Sequence, residues 1–324
     1  MNVFVIGLGS MGKRRIGLLK EFDINIYGID TNSERRDFAE KELSISTYDN
    51  LDDITVNKGD CAFVCTSPLS HNKIISQCIN KGLNIFTEIN LVSDGYKENI
   101  ALALENGLKL FLSSTFLYRY ETEYIIKRVK KTKSKCKYIY HIGQYLPDWH
   151  PWESYNSFFV GDKRTNGCRE IFAIELPWLV TCFGNVERVY SSKGMISGLN
   201  LNYNDSYFVN VVHEDGTEGV IAVDVVSRKA VRKLDVYGED IYLTWNGTPD
   251  SVYDYDITKN TEKNVEFEVS EHKEGYASFI TENPYKEEIK AFFKCLKDPE
   301  YKCKWDFERD LNVLKLIDEI EGKK

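Results

Sequence analysis

One glycine loop and a short set of acids and bases carry the chemistry this sequence offers. Gly7-Leu8-Gly9-Ser10-Met11-Gly12 directly follows the apolar run 3–6 and opens a helical stretch. In a strand–turn–helix setting the first glycine permits a tight turn and the second lets backbone approach a pyrophosphate. The third lets the helix pack closely on the strand. The helix N-terminus adds free N–H groups and a positive dipole end. Gly7, Gly9, Ser10, Met11 and Gly12 are therefore expected to grip the pyrophosphate of NAD(H) or NADP(H). Asp30 ends the second strand-like run. A carboxylate there accepts from the adenosine ribose hydroxyls and repels a 2′-phosphate, which favours NAD. Arg35 and Arg36, a turn downstream, leave NADP open. Asp30 has a second reading as the cap of the next helix, where Thr31 and Ser33 compete with it.

Two more strand ends bring polar residues to the edge where a parallel sheet receives ligand. They are Cys65-Thr66-Ser67-Pro68-Leu69-Ser70-His71 and Phe86-Thr87-Glu88-Ile89-Asn90. Thr66, Pro68 and His71 are assigned to the dinucleotide lining, with His71 beginning the following helix rather than acting as a catalyst. Glu88 reads either as a cofactor contact or as a solvated loop residue, and Asn90 as a substrate contact beside it. Further on, Gln144-Tyr145-Leu146-Pro147-Asp148-Trp149-His150-Pro151-Trp152-Glu153-Ser154-Tyr155 must be a loop, since two prolines interrupt any helix. Trp149 and Trp152 can stack on sugar faces, while Asp148, His150 and Glu153 can bind hydroxyls. Lys163, Arg164 and Arg169 can hold a phosphate or carboxylate. The segment is expected to be a substrate rim for a charged sugar, or else a packed interface loop. Imidazole is the side chain that changes charge near neutral pH, so residue type makes His150 the leading proton carrier.

The elements that must position these residues fall into two textures. Up to residue 118, apolar runs at 3–6, 24–29, 61–65, 84–86 and 108–112 alternate with amphipathic stretches at 11–21, 33–41, 71–81 and 96–106. That alternation predicts a Rossmann-type α/β domain with a parallel sheet. From residue 119 to 324 the pattern changes to a basic helix at 121–133 and strands at 137–144, 203–213, 218–226, 229–237 and 240–246. Further helices are expected at 169–183, 285–296 and 307–320. This predicts an α+β domain on one large, mostly antiparallel open sheet.

Composition narrows the functional classes. A net charge of -8 argues against a general affinity for nucleic acid or anionic membrane, and the basic run 127–137 reads as a solvated helix face. No apolar run approaches the roughly 20 residues that span a bilayer. The eight cysteines form no Cys-x-x-Cys, and the segment 2–6 has no basic leader ahead of it. They are read as reduced, structural thiols in a cytoplasmic protein. The five histidines, at 71, 141, 150, 213 and 272, show no metal-ligand spacing, so no metal is expected.

The glycine loop, the acidic second-strand end, Thr66-x-Pro68-x-x-His71 and Glu88 occur in an order that resembles the Gfo/Idh/MocA family, the glucose-fructose oxidoreductase and inositol dehydrogenase group. Arg119, after residues 113–118, sits where that family often places an arginine, and Gly238 resembles its late strand–glycine turn. The resemblance implies NAD(P)-dependent oxidation or reduction of a sugar or polyol, Arg119 as a substrate contact, and a homodimer or homotetramer. Two positions depart from the family pattern. Its Glu-Lys-Pro reads Glu88-Ile89-Asn90, and its helix Asp and His correspond to Glu170 and Ile174, with Glu175 one position off register. Isoleucine neither donates nor accepts a proton.

These residues lead to an NAD(P)-dependent oxidoreductase of a sugar or nucleotide-sugar alcohol, with hydride passing at the rim of Glu88 and Asn90. The acid/base is His150 first, then Glu170 or Glu175. Glu170 also reads as a first-turn carboxylate that favours the helix dipole. The alternative is a dinucleotide-binding protein that has lost catalysis and serves as a sensor or partner subunit.

Overall fold

A computed structural model describes residues 1–267 and 282–323. The chain divides into two compact units. The first comprises Met1–Thr115 and Tyr285–Leu311, and the second Phe116–Pro284 and Asn312–Lys324. The sequence division at 118/119 lies close to the first of these breaks. It lacks the return of Tyr285–Leu311 to the first unit, because an amphipathic helix does not carry the address of the surface it covers.

In the first unit, β1 (Asn2–Ile6), β2 (Asn25–Ile29), β3 (Ser46–Tyr48), β4 (Cys61–Val64), β5 (Asn84–Thr87) and β6 (Leu110–Leu112) form one sheet. Every pairing is parallel and the order is β3-β2-β1-β4-β5-β6. Helices α1 (Ser10–Leu19), α2 (Ser33–Leu43), α3 (His71–Asn80) and α4 (Tyr96–Glu105) form crossovers. The order reverses between β1 and β4, and such a switch point opens a ligand crevice at the carboxyl ends of the two strands. The second unit holds α5 (Tyr120–Lys130), β7 (Cys136–Gly143), α6 (Gly167–Phe183), β8 (Val186–Gly194), β9 (Ser206–His213), β10 (Glu218–Asp224), β11 (Val231–Gly238), β12 (Ile241–Trp245), β13 (Val252–Asp256) and β14 (Thr261–Asn264). Its open sheet runs β14-β13-β12-β11-β7-β10-β9-β8, antiparallel except for β7 against β10. Two helices close the chain, α7 (Asn283–Lys297) and α8 (Phe307–Ile320).

This is the Rossmann domain and the mostly antiparallel open sheet that the sequence pattern predicts. The pattern missed β3, β8, β13 and β14. β3 is three residues long, and most of β8, β13 and β14 is partly or fully exposed, so no period-2 apolar stripe marks them. On the inner face of the large sheet, Tyr138 stacks on Phe183 at 4.2 Å. Trp178 of α6 meets Tyr140 and Trp245 edge-on. Among the described residues no helix is long and apolar enough to cross a membrane.

The core of the first unit is a row of rings: Phe63, Phe86 and Phe111, from β4, β5 and β6, stack in sequence, and Phe292 of α7 meets all three edge-on. Each such pair adds roughly 0.5–1.5 kcal/mol beyond its burial. Next to these rings lies a buried charge. Arg15 of α1 has no solvent exposure. It lies 4.5 Å from the Phe86 centroid and donates to Glu88 from Nε and Nη2, at 2.6 and 3.1 Å. Nη2 also donates to Glu288 of α7 at 2.9 Å, and Nη1 to the Tyr285 carbonyl at 3.2 Å. Glu288 in turn accepts from Ser113 Oγ, the Ser114 amide and Thr115 Oγ1.

Removing one member of such a cluster leaves buried charge unanswered, which costs about 3–5 kcal/mol. Arg15→Met is expected to lose that much in urea unfolding, and adding Glu88→Gln and Glu288→Gln to it should recover part of the loss. An unchanged unfolding midpoint for Arg15→Met would contradict the central role of this pair.

Candidate functional site

The loop between β1 and α1 is shaped by what each glycine touches. Gly7 has φ +92°, and a Cβ there would stand 2.8 Å from both the Cys65 carbonyl oxygen and Thr66 Cγ2. A Cβ on Gly12 would lie 1.9 Å from the Gly7 carbonyl oxygen. Gly9, the cap of α1, is different: a Cβ there meets only Arg35 Nη1, at 4.0 Å. Two glycines are thus required by protein contacts, and the third faces open space beside a guanidinium. No side chain caps α1 and its first turn holds no acid. The first-turn amides of Ser10, Met11 and Gly12 have no partner within the helix. This is a cradle of the polarity a pyrophosphate needs. Ser10 is exposed and Met11 half-buried at its mouth.

Asp30 holds this loop in place. Its Oδ2 accepts from the Leu8 amide at 2.8 Å and its Oδ1 from the Asn32 amide at 2.9 Å. Arg35 Nη1 lies 3.5 Å from Oδ2, and Arg36 donates to the Asp30 carbonyl at 2.7 Å. None of Asp30, Thr31 and Ser33 caps α2. Asn32 does, accepting from the Arg35 amide at 3.0 Å. Each Asp30 oxygen keeps a second lone pair for a ribose hydroxyl.

At the β4 end, Thr66 touches Gly7, its Oγ1 accepts from Ser70 Oγ at 2.8 Å, and Pro68 is buried. His71 is buried at the start of α3, and that burial pushes its pKa below the ordinary value. The neutral ring donates from Nε2 to the Thr66 carbonyl at 3.0 Å, and its Nδ1 lies 2.7 Å from the Asn90 amide. Turned so that Nδ2 donates, that amide also satisfies its own otherwise unpartnered nitrogen. His71 and Asn90 therefore bind each other. Glu88 is committed to Arg15, which leaves neither Glu88 nor Asn90 as a free group at a rim. Burial against Arg15 corrects the reading of Glu88 as a solvated loop residue.

Among the described residues of the second unit, the candidates separate sharply. Glu175 is buried. Its Oε2 accepts from Tyr140 Oη at 2.6 Å and Trp178 Nε1 at 2.7 Å, and its Oε1 from Arg232 Nε and Nη2 at 3.0 and 2.8 Å. Four donors saturate it, and it is removed as a base. Glu170, one turn before Ile174, has no such company. Its Oε2 is shut away from solvent with no hydrogen-bond partner, and burial alone pushes the carboxyl up to about 8. It does not cap α6; the Asn166 side chain does, accepting from the Arg169 amide at 2.8 Å.

Arg119 is buried and donates to Glu121 at 2.6 Å and to the Gly247 carbonyl at 3.0 Å, over the rings of Phe116 and Trp245. Arg169 is buried against Asp318, at 2.8 Å, and Glu321. Both arginines are scaffold, which corrects their assignment as substrate ligands. Arg164 is exposed. In the aromatic loop, His150 is stacked between Trp152 and Phe158, at 5.0 and 4.4 Å, and its Nδ1 pairs with Glu153 at 2.8 Å. Trp152 is largely exposed, and Trp149 packs near Gly167 with its Nε1 buried and unpartnered.

Sequence reasoning missed Arg15, Glu288 and Arg232, whose partners lie far along the chain. It also missed His141, whose Nε2 lies 2.8 Å from Asp224 Oδ2. Burial would raise the Asp224 carboxyl. The bonds from His141, Val226 and Ser227 outweigh that and hold it low. Among the described residues, no three His, Cys, Asp or Glu side chains lie together as metal ligands, and His272 lies outside those residues.

Residues 1–113 match the model of the family described as "Oxidoreductase family, NAD-binding Rossmann fold", GFO_IDH_MocA. A sequence comparison with curated proteins returned no match. Among solved structures, the fold is similar to GenD2 from gentamicin A biosynthesis in complex with NAD, at 17% identity and TM-score 0.77, covering 99% of this chain and 93% of that one. It is similar to myo-inositol 2-dehydrogenase of Lactobacillus plantarum, at 13% identity and TM-score 0.77, covering 99% and 96%. It is also similar to the UDP-N-acetylglucosamine 3-dehydrogenase GnnA of Acidithiobacillus ferrooxidans, at 13% identity and TM-score 0.76, covering 99% and 97%. At these identities the likeness is one of fold.

The different settings of the glycines yield a paired test. Gly9→Ala should leave the melting temperature unchanged, since its methyl meets no backbone, yet weaken NADH binding at least about tenfold, or about 1.4 kcal/mol. Gly12→Ala should lower both stability and affinity, because the methyl collides with the Gly7 carbonyl. Fluorescence titration and thermal melts check both, and wild-type affinity in Gly9→Ala would place the phosphates elsewhere.

Proposed function

We propose that this chain, whose residues 1–113 match the Gfo/Idh/MocA oxidoreductase model with its NAD-binding Rossmann fold, oxidises or reduces an alcohol of a sugar or sugar derivative, nucleotide sugars included. The observation that carries this reading is the glycine cradle, open at Gly9 and closed to any Cβ at Gly7 and Gly12. The substrate class is supported by the inositol and nucleotide-sugar dehydrogenases that share the fold, and by the aromatic loop with its exposed Trp152. Asp30 beside the loop favours NAD over NADP, since its carboxylate would face a 2′-phosphate with like charge.

Bound NAD(H) supplies hydride transfer at its nicotinamide ring. The chain's own part is to bind and to move a proton. The first-turn amides of α1 hold the pyrophosphate, and Asp30 orients the loop. Glu170 takes the acid/base role. Its carboxyl, raised to about 8, is protonated near neutrality and can donate to the oxygen of a carbonyl being reduced. His150 ranks behind it, because its Nδ1 is already paired with Glu153.

The sign of the pH dependence follows. Reduction needs the protonated acid, so its rate should fall about tenfold per pH unit above pH 8, while oxidation should rise up to that pH. Glu170→Gln should lose about 10²–10⁴-fold in kcat with NADH affinity retained. Folding stability tests the same group. The folded pKa lies above the ordinary 4.5, so the unfolded chain loses its proton first as pH rises from about 4.5 to 8. Wild type should therefore lose stability over that window relative to Glu170→Gln. Ile89 and Ile174, with Glu88 and Glu175 both committed elsewhere, favour a second reading as a binding protein without catalysis. Tight NADH binding with no turnover of any sugar or nucleotide sugar in a broad panel would overturn the enzyme reading in its favour.

A homo-oligomer is proposed on a separate observation. The outer face of the large sheet exposes Tyr190, Phe208, Val220, Ile139, Tyr237 and Tyr242 on adjoining strands. A patch of that kind usually marks an interaction surface. Ile139→Glu with Phe208→Glu should reduce the mass seen by light scattering to that of one chain, and a monomeric wild type would refute the proposal.

A further inference from the structure

The end of α7 brings two thiols together. The Asp298 amide donates to the Lys294 carbonyl at 2.9 Å, extending the last helical turn. The Tyr301 amide then donates back to the Asp298 carbonyl at 3.1 Å, and Asp298 Oδ1 accepts from the Glu300 amide at 3.0 Å. This tight reversal returns the chain along the helix end, where the Lys294 ammonium lies 4.8 Å from the Tyr301 ring centroid. Cys295 follows Lys294, and Cys303 lies two residues beyond Tyr301. The fold-back returns Cys303 to the helix end that carries Cys295, which puts the two thiols within reach of each other's influence. Cys303 is partly exposed, whereas Cys295 and the other six cysteines are buried free thiols.

We propose that Cys295 and Cys303 are an oxidation site that closes to a reversible disulfide when the protein meets hydrogen peroxide. The Cys295 thiolate attacks a peroxide oxygen, the O–O bond breaks, and the departing hydroxide takes a proton to leave as water. Cys295 is then a sulfenic acid. The Cys303 sulfur displaces its hydroxyl, which leaves with the Cys303 proton as a second water. Two thiols are oxidised to one disulfide, and one peroxide is reduced to two waters. A thiol reductant reverses the bond by exchange. The environment suits this assignment of roles. The neighbouring Cys303 thiol and, more weakly, Lys109 outweigh burial and hold the Cys295 thiol at about 7, where the thiolate is abundant at neutral pH. Cys303 is raised in turn, as the partner that keeps the proton.

Peptide mapping by mass spectrometry tests the proposal on the full chain. The reduced protein is exposed to hydrogen peroxide, alkylated in denaturant and digested. The expected result is a Cys295–Cys303 linked peptide, lighter than the free pair by two hydrogens and lost on dithiothreitol treatment, with the other cysteines alkylated. In Cys303→Ser the disulfide should vanish and Cys295 should become trappable by dimedone as a sulfenic acid. Recovery of both thiols alkylated after peroxide, or as separate sulfinic acids, would overturn the proposal, as would a Cys295 crosslink to a different cysteine. Should Cys303→Ser not fold, the wild-type map decides alone.

Discussion

A guanidinium with no access to water must have its charge answered by protein, and Arg15 shows how much of a fold that requirement can organise. Its partners come from just beyond β5 and β6 and from α7. The same side chain therefore ties the first helix of the Rossmann sheet to a segment that enters the unit at Tyr285. The aromatic row formed by Phe63, Phe86, Phe111 and Phe292 supplies the non-directional part of that attachment, and Arg15 supplies the directional part. Rings alone would allow α7 to slide along the sheet. Two carboxylates that must meet one fork-shaped cation fix its register. The cost is that Glu88, at a strand end where ligand contacts are expected, is spent on scaffold.

That expense explains which parts of the site could be seen in the sequence. The glycine loop was legible because two of its glycines answer to neighbours within the same motif or at an adjacent strand end, and the third keeps the cradle open. Gly12 faces Gly7, Gly7 faces Cys65 and Thr66, and Gly9 faces open space. A local pattern can encode a local collision. The charged residues were not legible, because the difference between a ligand contact and a scaffold ion is the identity of a distant partner. Glu88 meets Arg15 across 73 positions, Arg232 meets Glu175 across 57, and Arg169 meets Glu321 across 152. Residue type and strand-end position said only that these groups could do chemistry. The fold was legible for the complementary reason. Buried parallel strands are continuous apolar runs, so β1, β4 and β5 stood out, while the exposed edge strand β8 showed no stripe.

Glu170 and Glu175 bring the same reasoning to the chemistry. They stand on one helix, five residues apart, with the same functional group and opposite fates. Glu175 points where Tyr140, Trp178 and Arg232 converge, and four donors occupy its two oxygens. Glu170 points about 140° away round the helix, since five residues advance 500°. There it finds burial without donors. Desolvation with no compensating hydrogen bond favours the neutral acid, which is the condition an acid catalyst needs and a structural anion avoids. A native fold seldom leaves a buried carboxyl oxygen unpartnered unless something else supplies the partner. Ile89 and Ile174 themselves can neither donate nor accept a proton. Glu170, one turn from Ile174 on the same helical face, thus differs from Glu175 in the absence of any donor to its buried oxygen, and that difference is what the proposed acid/base role rests on.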